Sequence, residues 1–184
     1  MKNHYLYLLT FAYAFSTFSE GIFMPIYAFF VQKIGGGLLE TSWAISFYSI
    51  VTGIGTILVH KTRWSHNNRM QCLIMGWFLW ILGIAVYFSM KTVFVLFIAQ
   101  FLNGLGNALA EPAFDAEFSK KIAEDPSSGW AFFEGTISIF SGLASFIGGL
   151  FATWYGFDAL LYCVIFTACV SFLLILYYQA IVHD

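Results

Sequence analysis

The chain has 184 residues, 60% of them hydrophobic and only 10% charged, and aromatics alone supply 21%. A soluble domain carries about 25% charged residues and could not hide this much apolar surface, so soluble enzyme, disordered tail and nucleic-acid binder are disfavoured together. The net charge of −2 and pI near 6.0 give no basic footprint for nucleic acid, and the mean hydropathy of +0.79 leaves an integral membrane protein.

A bilayer core of about 30 Å needs roughly 20 apolar residues per helix. Six runs meet that need: about 5–31, 41–59, 70–89, 92–113, 130–154 and 157–181. They are continuous rather than short and alternating, so they read as helices and not as barrel strands. In the first run, Ala12-Tyr13-Ala14 has the small-x-small form of a cleavage site. The apolar stretch continues to Phe30, however, and reads as an uncleaved first span. Gly35-Gly36-Gly37 stops it. The linker from His60 to Arg69 is basic, Asp125-Pro126-Ser127-Ser128-Gly129 is a turn, and Gly156 separates the last two spans. No linker is long enough for a soluble domain, so residues 1–184 read as one membrane domain.

Lys2, Lys61, Arg63, Arg69, Lys120 and Lys121 fall on one side of this pattern, and Lys33 and Lys91 on the other. That asymmetry predicts both termini in the cytoplasm of a multi-pass cell (inner) membrane protein, and argues against dual topology. Cys72, Cys163 and Cys169 lie in apolar runs and read as small core hydrophobes, not a disulfide framework. His60 and His66 add positive charge to a polar loop. No metal set and no cofactor motif is expected.

Polar groups in lipid are costly and mark candidate sites. In span four, Gln100, Asn103, Asn107, Glu111 and Asp115 are spaced 3, 4, 4 and 4, which is one helical stripe. Such a stripe faces protein or water. It reads either as interhelical glue or as a solvated cavity wall. Pro112 and Gly104/Gly106 are expected to soften this helix. Span one carries Tyr13, Ser16 and Glu20, followed by Pro25. Shifted by 87 positions, Tyr13 falls on Gln100, Ser16 on Asn103, Glu20 on Asn107 and Pro25 on Pro112. Two three-span segments, about 5–89 and 92–181, therefore look like inverted repeats. Spans two and five carry small-residue stripes instead: Ser42, Ser46, Ser49 and Gly53, and Ser138, Gly142, Ser145 and Gly149. They suit close packing, within one subunit or between two. Spans three (Trp77, Phe78, Trp80) and six (no Gly) suit lipid-facing positions.

Three stretches carry a family likeness. Ala99-Gln100-Phe101-Leu102-Asn103-Gly104-Leu105-Gly106 is similar to an Ala-Arg-Phe-x-x-Gly-x-Gly run in a fourth helix. Ala144-Ser145-Phe146-Ile147-Gly148-Gly149 is similar to Gly-Pro-x-x-Gly-Gly in a fifth. The segment from Gly55 to Arg63 falls where Gly-x-Leu-x-Asp-Arg-x-Gly-Arg would stand. Together they resemble one six-helix half of the major facilitator superfamily. The departures are Gln100 for the family's arginine, Val59 for its loop aspartate, and Ala144-Ser145 for Gly-Pro.

That resemblance implies an all-α membrane fold of six helices, half of a twelve-helix architecture. Spans one and four would line a cavity, two and five meet a partner half, and three and six face lipid. The expected function is a secondary transporter half-unit, not an enzyme, working as a parallel homodimer by alternating access. With no Lys or Arg inside a span, the expected substrate is a small neutral polar or cationic solute. Tyr13, Ser16, Glu20, Gln100, Asn103, Asn107 and Glu111 are the substrate-binding candidates, with Phe15 and Tyr48 as aromatic platforms. Glu20 and Glu111 are the proton-coupling candidates. The eight small residues of spans two and five are the dimer-interface candidates. The expected partners are a second copy, the bilayer and the solute. The alternative is a non-transporting accessory subunit bound to a larger membrane partner.

Overall fold

The computed structural model describes residues 2–183, with side chains for 4–182. Met1 and Asp184, on which the predicted orientation of the termini falls, and the Lys2 side chain lie outside that description. All regular structure among the described residues is helical: α1 (Lys2–Phe23), α2 (Tyr27–Lys33), α3 (Leu38–His60), α4 (Arg63–Asn67), α5 (Arg69–Phe88), α6 (Val93–Lys121) and α7 (Pro126–His183). A 3-10 turn, Met24–Ile26, splits the first apolar run at Pro25. Proline lacks the N–H that would continue the α ladder. Gly35, at φ 85°, closes α2 as expected. Glu40 then starts α3 by accepting the Gly37 N–H at 2.7 Å.

Five stretches are long and apolar enough to cross a membrane: His4–Lys33, Leu38–His60, Arg69–Phe88, Val93–Lys121 and Pro126–Val182. The last has 57 residues. Unbroken, it would run about 85 Å at ~1.5 Å per residue, far beyond one bilayer core. Gly156, at φ 79° and ψ −179°, divides it into two arms. Asp125 opens the first arm by accepting the Ser128 N–H at 3.2 Å. Hydrogen bonding from the Ser128 side chain, and then from its N–H, holds the exposed Asp125 carboxyl below the ordinary aspartate value. A depressed carboxyl stabilises above its unfolded pKa and loses that effect as pH falls through the folded one. The protection factor of the Ser128 amide, its exchange rate taken relative to the intrinsic rate at each pH, is therefore expected to fall on acidification, and Asp125→Ala to show the low protection at every pH.

The chain forms two compact units. One holds the described residues through Pro25 together with Asp115 onward; the other is Ile26–Phe114. Both boundaries fall at or within three residues of a proline, Pro25 and Pro112.

In the first unit α1 packs on both arms of α7. Along the first arm the pairs ascend together: Tyr7 with Phe132, Phe11 with Phe140, Gly21 with Ala144 and Ile22 with Gly148. Along the second they descend. Tyr5 hydroxyl donates to Ile181 O, Ser171 Oγ donates to Ala12 O at 2.7 Å, and Ser19 Oγ donates to Val164 O at 2.8 Å. The arms thus run in opposite directions from Gly156.

In the second unit α6 packs on α3 and α5. It runs parallel to α3, with Phe47 on Phe97, Thr52 Oγ1 donating to Gly104 O, and Gly55 against Ala108. It runs antiparallel to α5, with Gly83 on Ala99 O, Gly76 on Gly106 and Trp77 on Phe114. Three crossings therefore recur. Ala12 meets Ser171 as Ala99 meets Gly83; Ser19 meets Val164 as Gly106 meets Gly76; Gly21 meets Ala144 as Ala108 meets Gly55. A Cβ on Gly21 would stand 2.8 Å from that of Ala144, and one on Gly55 would stand 2.8 Å from that of Ala108.

Some sequence expectations change. α6 is continuous through Pro112. Gly104 and Gly106 admit α3 and α5 rather than softening the helix. Trp77 is buried against Phe114 rather than facing lipid, while Phe78 is exposed. Cys72 is a core residue, but Cys169 is exposed. The second arm of α7 has a buried face through Val164, Ala168, Ser171, Ile175 and Tyr178, and an exposed one through Tyr162, Phe166, Leu173 and Tyr177.

Candidate functional site

The seven binding candidates divide between the units. Tyr13, Ser16 and Glu20 lie on α1 in the first; Gln100, Asn103, Asn107 and Glu111 lie on α6 in the second. Tyr13 is half-buried, its ring edge-on to Phe133 at 5.2 Å. Ser16 Oγ donates to Tyr13 O at 2.8 Å, satisfying its own helix. Phe15 packs on Phe140. Glu20 is exposed within its unit.

On α6 the amide stripe meets a tyrosine at each step, each from a different helix. Gln100 Nε2 donates to the Tyr27 hydroxyl of α2. Asn103 Nδ2 donates to the Tyr87 hydroxyl of α5 at 3.3 Å, and Asn107 Nδ2 donates to the Tyr48 hydroxyl of α3 at 2.9 Å. Gln100 and Asn103 are buried, while Asn107 and Glu111 are half-buried. The stripe is therefore graded. Its Val93-side half is used in holding α2 and α5, and its Lys121-side half keeps exposed surface. Gly83 makes room for Asn103, since a Cβ there would collide with the Asn103 carboxamide. The stripe was legible from spacing. Tyr27 and Tyr87 were missed, although buried phenols need partners and the three tyrosines between Ile26 and Phe114 equal in number the three amides of the stripe.

A second polar cluster, not anticipated as such, closes the Lys121 end of the first unit. Glu117 Oε1 accepts from Tyr178 hydroxyl at 2.9 Å, and its Oε2 accepts from Lys120 at 2.7 Å. Lys121 lies 3.5 Å from Glu117 and stands 5.2 Å over the Tyr5 ring. These lysines are thus engaged by Glu117.

Of the interface candidates, Ser42, Ser46, Ser49, Gly53, Ser138 and Gly142 are exposed, and Ser145 and Gly149 are half-buried. Ser42, Ser49 and Ser145 donate to carbonyls of their own helices, so a facing surface need supply no acceptor. A Cβ on Gly53, Gly142 or Gly149 would meet nothing within 4 Å. Among the described residues no group of three or more His, Cys, Asp or Glu could hold a metal ion.

Continuous apolar helices with polar stripes define a multi-pass membrane protein. The Major Facilitator Superfamily profile matches residues 9–182, and the chain belongs to that family of membrane transporters. No curated protein and no solved structure matches the chain.

The grading of the stripe carries a prediction. In a cysteine-free background, cysteine at Asn107 or Glu111 should react with small polar thiol reagents well ahead of cysteine at Gln100 or Asn103. Equal rates along the stripe would contradict the burial gradient.

Proposed function

We propose that the chain is a half-unit secondary transporter that works as a parallel homodimer by alternating access, moving a small neutral polar or cationic solute. The observation that carries this is the family match over residues 9–182 of a chain whose helices hold acids and amides but no cation inside a span. Lys33, Lys91, Lys120 and Lys121 all sit at helix ends or in turns, so an anion has no partner in the hydrocarbon region. Glu20 and Glu111 supply carboxylates for protons or a cation, and Asn107 with Tyr48 supplies hydrogen bonding and an aromatic face.

In this reading there are six spans in two inverted three-helix repeats, and the arms of α7 are two of those spans. The three recurring crossings support it. α1 and α6 correspond at a constant offset of 87, their partners at 88 or 89, and the parallel and antiparallel relations match. The exposed small-residue stripes of α3 and α7 form the dimer seam. The Lys and Arg asymmetry sets both termini in the cytoplasm of the cell membrane.

Solute flux into proteoliposomes tests the substrate class. Uptake above empty vesicles is expected for a neutral polyol or sugar, or for a quaternary ammonium ion. Uptake confined to carboxylates or phosphates would overturn the assignment.

A further inference from the structure

The segment joining α3 to α5, His60 to Arg69, is the basic surface of the second unit. Lys61, Arg63 and Trp64 are exposed, Arg69 is half-buried, and Trp64 shows 45% of its surface. No Asp or Glu occurs anywhere between Glu40 and Glu111. Glu40 is taken by the Gly37 N–H at the far end of α3. Among the described residues, no ion pair engages Lys61, Arg63 or Arg69, whereas Lys120 and Lys121 are both matched by Glu117.

This segment is built rather than slack. Thr62 Oγ1 accepts the Ser65 N–H to start α4, and Ser65 Oγ donates back to Thr62 O at 2.9 Å. Asn68 closes α4 by giving both its backbone N–H, at 2.9 Å, and its Nδ2, at 3.0 Å, to Trp64 O. His66 Nε2 lies 3.1 Å from His60 O. The turn thus holds Arg63 and Trp64 on a short helix between two membrane-length helices, at the level where a bilayer places its headgroups. An indole beside unmatched cations suits that layer: the ring settles among headgroups and the cations face phosphate.

We infer that the His60–Arg69 turn docks an anionic phospholipid, with Lys61, Arg63 and Arg69 on the headgroup phosphate and Trp64 beside the glycerol region. The turn is complete within one chain, so the inference stands apart from the dimer and from transport.

Quenching by bromine-labelled lipids tests it on the reconstituted full chain. The Trp64 signal is the difference between wild type and Trp64→Phe. Brominated phosphatidylglycerol is expected to quench that signal with about tenfold preference over brominated phosphatidylcholine at low salt. The preference should fall toward unity at about 1 M salt, where screening acts over ~3 Å. Lys61→Gln/Arg63→Gln/Arg69→Gln should abolish it at low salt. Equal quenching by the two lipids in wild type, or a preference that survives the triple change, would overturn the inference. Should the triple variant fail to insert, the wild-type salt titration decides alone: a salt-independent preference overturns it.

Discussion

Gly76→Leu is expected to abolish recovery of folded protein, whereas Gly53→Leu and Gly142→Leu leave a folded chain that no longer dimerises. At Gly76 a Cβ would stand 2.5 Å from Gly106 O and 2.6 Å from Ala110 N. Both are backbone atoms of α6 and cannot rotate away. Overpacking a well-filled contact costs about 1–3 kcal/mol, and a clash with backbone lies at or beyond the upper end. At Gly53 and Gly142 nothing lies within 4 Å, so the chain itself tolerates the leucine. The added bulk instead falls where a second copy would approach. Size-exclusion profile and thermal unfolding in detergent, with mass in nanodiscs, separate the two outcomes. A Gly76→Leu protein with wild-type unfolding would contradict the α5–α6 crossing.

The second large effect concerns coupling. In the double variant Glu20→Gln/Glu111→Gln, proton-driven uptake is expected to drop to the level of empty vesicles while solute exchange persists. Glutamine keeps the shape and hydrogen bonding of the acid but cannot carry a proton, and exchange needs no net protonation cycle. Glu20 lies about fifteen residues along helix from Tyr5, roughly 22 Å at ~1.5 Å per residue, within the apolar stretch His4–Lys33. It is the stronger candidate of the two. Uptake in the double variant that still follows the proton gradient would remove both residues from the carrier role.

Much of the fold was legible because lipid leaves the chain few options. Every backbone polar group in the hydrocarbon region must bond internally, so long apolar runs become helices, and Pro25, Gly35 and Gly156 mark their breaks. What failed was the assignment of faces. In water an apolar side chain points inward, but in lipid both faces of a helix are apolar. Trp77 and Phe78 therefore look alike in the sequence, although one is core and the other exposed. The same ambiguity misplaced Cys169.

Of the candidate site, the α6 stripe was visible because amides and acids are rare in such helices. Its grading was not, since that depends on Tyr27, Tyr48 and Tyr87 arriving from three other helices. The proposed repeat rests in the sequence on four aligned positions, and the crossings that support it mostly pair small residues whose meaning lies only in contact. Ala12 and Ala99 carry no signal of their own.

Native mass spectrometry of the wild-type chain released from lipid nanodiscs tests the half-unit account most directly. The account predicts a protein mass of twice the chain's 20.8 kDa, persisting as the protein-to-lipid ratio is lowered. A single-chain mass at every ratio would contradict it.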